Sequence, residues 1–112
     1  MLNQSHSLDV VFHALADPTR RRIVDRLTRG PATVSALAAP LDMSLPAVVQ
    51  HLQVLEMSGL VRSEKRGRVR TCRVDAGTLA AAEQWLSRRR LAWERRLDRL
   101  GEILAEESDP KS

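Results

Sequence analysis

The side chains that could carry covalent or metal chemistry are few and scattered. The chain of 112 residues has one cysteine, Cys72, and three histidines, and its acids form no pair beside a nucleophile or a base. It also has no glycine-rich phosphate loop. Because catalysis and metal binding need such constellations, the sequence gives no support for an enzyme, a metal site or a cofactor. A single cysteine can neither close an internal disulfide nor supply a cysteine metal cage.

The stretch from Met43 to Leu60 offers a different kind of chemistry. Ser44 is a candidate N-cap, Pro46 suits the first turn of a helix, and Gly59 suits the position after its end. The apolar residues recur at i, i+4 and i+7 and predict one buried stripe, formed by Val48, Leu52 and Leu55.

The face opposite this stripe carries uncharged side chains, namely Leu45, Val49, Gln50 and Gln53. A glutamine amide can bond in a bidentate way to the edge of adenine, and Leu and Val suit the methyl group of thymine. An exposed helix kept only for solubility normally carries Lys and Glu instead. The face therefore favours contact with base edges in double-stranded DNA, and an ordinary surface helix is the alternative.

Three shorter helices are predicted before this one. The first covers residues 8–16, the second runs from Pro18 until Gly30 and Pro31 close it, and the third covers residues 34–39. Each follows a residue that can cap a helix, and these residues are Ser7, Asp17 and Thr33. The run Arg20–Arg22 is expected to be mostly a solvated helix face. Residues 41–43 form a tight turn between the third helix and the next. Two short helices joined in this way are typical of a helix-turn-helix.

The segment from Leu60 to Val74 predicts a β-hairpin, with Gly67 supplying the positive φ that a tight loop needs. A single acid, Glu64, accompanies six basic residues in this hairpin: Arg62, Lys65, Arg66, Arg68, Arg70 and Arg73. A basic strand edge can serve only to prevent aggregation, and that interpretation stays open. Directly after a helix-turn-helix, the same charges favour a wing that grips phosphates or a minor groove.

A long last helix is predicted from Thr78, as its cap, to about residue 107. Apolar residues recur every seven positions, at Leu79, Leu86, Trp93 and Leu100. About thirty residues make roughly 45 Å of helix, which a domain of this size cannot cover. We therefore expect the second half to pair with a second copy of the chain, while the first half can also fold back on its own domain. A protein-interaction module that uses this helix alone is a further alternative.

The composition fits one soluble domain over residues 1–112. The net charge of +4 and the pI of about 10.5 favour a polyanionic partner. Aromatic residues make up only 3% of the chain, which argues against a stacking platform for single strands. No apolar run is long enough to span a membrane, and the N-terminus lacks the features of a signal peptide. We therefore expect a cytoplasmic protein without a membrane partner.

Motifs spread over residues 8 to 105 resemble the ArsR-type winged helix-turn-helix repressors of bacteria. They are Leu15–Arg21, Ser44–Val48, His51–Leu52 with Leu55, Gly59–Val61 and Gly67–Arg68. The resemblance implies a mostly α fold with a small β-hairpin, in which four helices precede the hairpin and a fifth follows it. It also implies a homodimer, built from helices at about 8–16 and 78–107, that represses transcription from a palindromic operator.

The hairpin charges and the resemblance together give the expected site. We expect DNA contacts from Thr33, Ser44, Leu45, Pro46, Ala47, Val49, Gln50, His51, Gln53, Arg62, Lys65, Arg66, Arg68 and Arg70. The expected dimer interface contains Leu8, Val11, Phe12, Leu86, Trp93, Leu97, Leu100 and Leu104. A hydrogen-bonded, half-buried structural role for His51 is the alternative to a phosphate contact.

Departures from the metal-sensing relatives place the chain in the non-metal-sensing subgroup. The positions of their Cys-x-Cys pair hold Thr33 and Ser35, and no histidine follows His51. Hydroxyl groups are poor ligands for soft metal ions. We expect Cys72 to be a buried small hydrophobe. A thiol- or metal-responsive sensor is the alternative, with neighbouring arginines lowering the pKa of the thiol. A small-molecule inducer also stays open as a partner.

Overall fold

The computed structural model describes the backbone of residues 4–108 and the side chains of residues 8–107. In chain order the elements are α1 (Gln4–Ala14), α2 (Pro18–Leu27), β1 (Ala32–Thr33), α3 (Val34–Ala38), α4 (Leu45–Met57), β2 (Val61–Arg66), β3 (Val69–Val74) and α5 (Ala76–Ser108). The three strands form one antiparallel sheet in the order β1-β3-β2. The predicted mostly α fold with a β-hairpin is confirmed.

Three helix caps predicted from the sequence are confirmed. The carboxylate of Asp17 accepts a hydrogen bond from the backbone N–H of Arg20 at 3.0 Å. The hydroxyl oxygens of Thr33 and Ser44 accept in the same way at 3.1 and 3.3 Å, at the starts of α3 and α4. These bonds satisfy N–H groups that have no carbonyl partner inside the helix, which is why the sequence marks these three helix starts correctly.

The bounds of α1 differ from the prediction. The helix begins at Gln4 rather than at residue 8, so Ser7 lies inside it and is not its N-cap. It ends at Ala14 rather than at Ala16, because Asp17 is extended and Pro18 has no N–H to continue the helix. The carbonyl groups left without helical partners accept hydrogen bonds from α2. Nε of Arg20 donates to the carbonyl oxygen of Ala14 at 2.6 Å, and Nη1 of Arg21 donates to that of Leu15 at 2.8 Å.

The sheet contains a strand that the sequence analysis missed. Ala32 and Thr33 pair with Cys72 and Thr71 of β3. A strand of two residues is too short to show an alternating pattern, so it became visible only through its partner. The predicted hairpin of β2 and β3 is confirmed, and Gly67 in its turn has a φ of +61°.

The core is built around α4, which contacts α1, α2, α3 and β2. Its predicted stripe is confirmed, because the exposed fractions of Val48, Leu52 and Leu55 are at most 1%. Leu8 and Val11, at 8% and 2%, are also buried within the single chain. Their burial shows a role in the core of the single chain, and their expected place in a dimer interface stays a prediction.

The chain divides into two compact units, one up to Ala82 and one from Glu83 onward. Helix α5 begins at Ala76, so Thr78 is not its cap. Instead, the hydroxyl of Thr78 donates a hydrogen bond to the Asp75 carboxylate at 2.5 Å. One domain over residues 1–112 stays a prediction. In the part of the chain that the structure describes, no helix has the length and apolar character needed to cross a bilayer.

Two carboxylates at helix starts should make the fold sensitive to acid. The backbone N–H of Arg20 is the main cause that lowers the pKa of Asp17, and the hydroxyl of Thr78 does the same for the pKa of Asp75. When the pKa of a carboxyl group is lower in the folded than in the unfolded protein, the ionised group stabilises the fold at pH values above the unfolded pKa. This stabilisation is lost as the pH falls below about 4. The free energy of unfolding should therefore decrease between about pH 5 and pH 3.

Urea unfolding followed by circular dichroism measures this dependence. Asp17→Asn keeps a capping oxygen but has no charge to titrate, so its unfolding free energy should fall less steeply with acid than that of the wild type. Asp17→Ala should lose about 1 kcal/mol at neutral pH. An acid profile of Asp17→Asn identical to that of the wild type would contradict the role of this carboxylate.

Candidate nucleic-acid interface

The outward face of α4 is exposed and uncharged, as predicted. Leu45 is 51% exposed, Gln50 and Gln53 are exposed, and Val49 is half-buried. The face starts next to the N-cap Ser44, where the backbone N–H groups of the first turn give a helix its positive end. A surface with two amide side chains and two aliphatic side chains can match the hydrogen-bonding groups and methyl groups of base edges.

A groove of about 290 Å³ brings three separate parts of the chain together. It is lined by Thr33, Val34, Ser35, Leu45, Arg68, Val69 and Arg70. These residues belong to the start of α3, the start of α4 and the tip of the hairpin. The start of α4 and the predicted wing therefore border one continuous surface, which the sequence pattern alone could not place.

The pairing of β2 with β3 sorts the charges of the hairpin between its two faces. Directly paired residues share a face, so Lys65 and Arg70 lie on the same side as Ser63 and Cys72. Cys72 is fully buried, which identifies this side as the one that packs on the core. Lys65 and Arg70 therefore lie on the core-facing side of the hairpin, but close to its tip and beyond the residues that pack in the core.

The opposite face holds the cations that have acidic partners. Arg66 and Arg73 lie 3.3 and 3.6 Å from the Glu64 carboxylate, and Arg62 lies 3.6 Å from that of Asp75. Within residues 8–107, no ion pair or hydrogen bond involves the side chains of Lys65, Arg68 or Arg70. The six cations that the sequence presented as one run thus form two groups, and the unpaired group includes the two arginines that line the groove.

His51 lies on the flank of α4 and is largely buried, with 20% of its side chain exposed. Its Nδ1 atom is 3.3 Å from Nη1 of Arg20 and 3.8 Å from the Asp17 carboxylate. This geometry agrees with a hydrogen-bonded, half-buried histidine, while the phosphate contact stays a prediction. Arg20 was not singled out by the sequence analysis, since only the fold brings two residues 31 positions apart into contact.

Cys72 is buried, as expected for a small hydrophobe, and the alternative of a reactive thiol is not supported. The side chain has no exposed surface, and burial raises the pKa of the thiol, with the Glu56 carboxylate adding to the rise. Arg70 acts in the lowering direction but is outweighed, so the prediction that arginines lower this pKa is wrong. A buried thiol with a raised pKa reacts poorly with oxidants and metal ions. The role as a buried small hydrophobe is the one that the geometry supports.

The described residues contain no group of three or more His, Cys, Asp or Glu side chains that could hold a metal ion. Thr33 and Ser35, which the sequence analysis contrasted with a cysteine pair, line the groove beside Leu45. The hydroxyl of Thr33 accepts the hydrogen bond that caps α3. These positions therefore serve the start of α3 and the surface of the groove.

The chain is similar to known transcriptional regulators over nearly its whole length. The profile of a helix-turn-helix domain family matches residues 15–64. The HTH-type transcriptional regulator Rv2034 of Mycobacterium tuberculosis is 42% identical over 92% of this chain and 94% of its own length. The transcriptional repressor SdpR of Bacillus subtilis is 29% identical over 68% of this chain and 84% of its own length.

A solved structure gives the same result for the fold. The crystal structure of the ArsR family transcriptional regulator RHA00566 superimposes with a TM-score of 0.75 at 49% sequence identity. The match covers 84% of this chain and 97% of that one. These relatives are regulators rather than enzymes. With its helix-turn-helix, its wing and this similarity over most of its length, the chain belongs to the ArsR family of winged helix-turn-helix transcriptional regulators.

Proposed function

We propose that the chain is a homodimeric repressor that binds a palindromic operator in double-stranded DNA and inserts α4 into the major groove. The observation that carries this proposal is the exposed, uncharged face of α4 next to a groove lined by Arg68 and Arg70. Base edges require hydrogen-bonding and apolar groups, whereas phosphates require cations. The two requirements are met by neighbouring parts of one surface.

We assign the recognition of base edges to the side chains on the outer face of α4. Gln50 and Gln53 bond to the N6 and N7 groups of adenine, while Leu45 and Val49 contact thymine methyl groups. The face has no arginine, so reading of guanine from it is weak. The other proposed DNA contacts orient the helix on the backbone of the duplex, and they are Thr33, Ser44, Pro46, Ala47, His51, Arg62, Lys65, Arg66, Arg68 and Arg70.

The dimer is proposed from the second unit, where α5 exposes an apolar stripe. The exposed fractions of Leu86, Trp93, Leu97, Leu100 and Leu104 lie between 50% and 59%. Charged groups border the stripe, including an ion pair of 3.8 Å between Arg90 and Glu94. A long apolar stripe with charged flanks is the pattern of a helix that pairs with another helix. A second copy of the chain covers it in a twofold arrangement.

Twofold symmetry gives the mechanism of repression. A symmetric dimer presents two α4 helices to half-sites about 34 Å apart, one turn of B-DNA, and thus selects a palindrome. Occupation of a promoter by such a dimer excludes RNA polymerase. SdpR, a relative of this chain, is named a transcriptional repressor, which supports repression rather than activation of transcription. A small-molecule inducer stays a prediction.

Substitution of Gln50 and Gln53 by alanine tests the reading role of α4. Each bidentate contact to a base discriminates by about 1–3 kcal/mol, so the double variant should lose at least a hundredfold in affinity for an operator selected from a random DNA pool. Binding to unrelated DNA should change little, because phosphate contacts remain. Gel-shift titrations against both duplexes measure the two affinities.

Sedimentation equilibrium supplies the control for this experiment. The double glutamine variant should remain a dimer, whereas Trp93→Glu with Leu97→Glu should yield a monomer that binds the operator weakly despite an intact α4. Operator binding by the glutamine variant at wild-type affinity would rule out base reading by these residues. A dimeric Trp93→Glu, Leu97→Glu protein would rule out the proposed interface.

The two groups of wing cations provide a matched pair of variants for phosphate contacts. Each phosphate contact contributes about one unit to the slope of log affinity against log salt. Arg68→Gln with Arg70→Gln removes two contacts from each protomer of the dimer and should therefore reduce the magnitude of this slope by about four. Arg62→Gln with Arg66→Gln removes the same charge from the acid-paired face and should reduce the slope by less, because each of these guanidinium groups already has a carboxylate partner. Equal effects of the two pairs would show that only net charge matters.

A further inference from the structure

Arg20 connects three helices through one guanidinium group. Its Nε atom donates to the carbonyl oxygen of Ala14 at 2.6 Å, and its Nη2 atom donates to that of His13 at 3.3 Å. Both acceptors belong to the last turn of α1. Its Nη1 atom faces Nδ1 of His51 in α4 at 3.3 Å. A residue at the start of α2 therefore closes the end of α1 and touches the helix that carries the outward face.

The contact with His51 determines where the imidazole carries its proton. A guanidinium group has donors only, so Nδ1 of His51 must accept. A neutral imidazole has one acceptor and one donor nitrogen, and the proton is then on Nε2. The Asp17 carboxylate is 3.8 Å from the same Nδ1 atom, which is an ion-pair distance for a protonated imidazole but beyond hydrogen-bonding distance, so Arg20 is the hydrogen-bonding partner of Nδ1 in the neutral ring.

We propose that Arg20 is a positioning residue for DNA binding, which holds His51 with its Nε2–H directed to a phosphate oxygen. Because Nδ1 faces Arg20, Nε2 is the ring nitrogen left for a phosphate, and one fifth of the side chain is exposed. The positive charge behind the ring polarises it and makes Nε2–H a stronger donor. This inference rests on the proposed function, since it requires DNA beside α4.

Arg21 and Arg22 provide controls that distinguish the positioning of His51 from a contribution of Arg20 to the stability of the end of α1. Arg21 donates to the carbonyl oxygen of Leu15 at 2.8 Å, and the described residues show no bond from it to α4. Arg22 is exposed, and no hydrogen bond or ion pair of its side chain occurs within residues 8–107. Arg21→Met therefore measures the effect of losing a hydrogen bond at the end of α1, and Arg22→Met measures the effect of losing a charge. Neither substitution removes a contact of His51.

Affinity for an operator that the wild-type dimer selects from a random pool is the first measurement. Arg20→Met and His51→Asn should each weaken binding about tenfold, as expected for one charge-assisted hydrogen bond. His51→Gln should weaken it less, because its amide N–H lies near the position of Nε2. The Arg20→Met, His51→Asn double variant should be no weaker than either single variant, since both remove the same contact. Arg21→Met and Arg22→Met should stay within about twofold.

The second measurement is the ¹⁵N spectrum of the imidazole, with the His51 signals assigned by their absence in His51→Gln. In the wild type at alkaline pH, Nδ1 should give the signal of an unprotonated nitrogen and Nε2 that of a protonated one. In Arg20→Met the nearest partner of Nδ1 is the Asp17 carboxylate, so a substantial Nδ1–H population should appear. Arg20→Lys serves as a second variant if Arg20→Met does not fold, and it should show the same change in part.

An unchanged His51 tautomer in the folded Arg20 variants, or additive losses in the double variant, would overturn the proposal. So would losses of equal size in Arg20→Met and Arg21→Met. Failure of the proposed function gives a different result, because the wild type itself would then select no duplex while its His51 spectrum would still be measurable.

Discussion

The burial of one apolar stripe on α4 is the constraint on which the rest of the structure depends. Val48, Leu52 and Leu55 have almost no exposed surface, and the helix contacts α1, α2, α3 and β2. Removing such a side chain typically costs 2–5 kcal/mol of the roughly 5–15 kcal/mol that stabilise a domain. The rotation of α4 about its axis is therefore fixed. This rotation also determines the outward face, which consists of the α4 residues opposite the buried stripe.

In the hairpin and in α2, backbone geometry also determines which side chains are buried and which are exposed. In the hairpin, the period of two buries Cys72 and sends Lys65 and Arg70 along the same side toward the tip. In α2, the rotation of about 100° per residue gives the three arginines of one run three different surroundings. Arg20 reaches α4, Arg21 reaches only the end of α1, and Arg22 faces solvent. A run of identical residues is thus not a single functional unit.

The parts of the fold that could be predicted are those with strong local signals. The caps at Asp17, Thr33 and Ser44, the stripe of α4 and the glycine in the hairpin turn were all predicted correctly, because each depends on a few neighbouring residues. Strand β1 and the Arg20–His51 contact could not be predicted, since both depend on partners more than 30 positions away. The raised pKa of Cys72 depends on burial, which outweighs the nearby charge of Arg70.

The residues of the candidate site are proposed from the sequence, whereas their arrangement could be described only from the structure. The sequence identified the outer face of α4 and the basic hairpin separately, and the structure places Leu45 and Arg68 on the same groove. It also divides the wing cations by their acidic partners, which pattern alone does not show. At Leu8 and Val11 the structure shows burial within the single chain, and helical spacing alone cannot distinguish a core stripe from a dimer stripe.

Directed cleavage of DNA tests most directly the central claim that the start of α4 enters the groove at two symmetric half-sites. Cys72→Ala leaves no other thiol, so an iron chelate can be attached to Asp42→Cys, just before α4, or to Met57→Cys, at its end, where Met57 is 85% exposed. On the selected operator, the chelate at residue 42 should cut in two clusters about 34 Å apart, and the chelate at residue 57 should cut far less. A single cluster, or equal cutting from the two positions, would contradict the account.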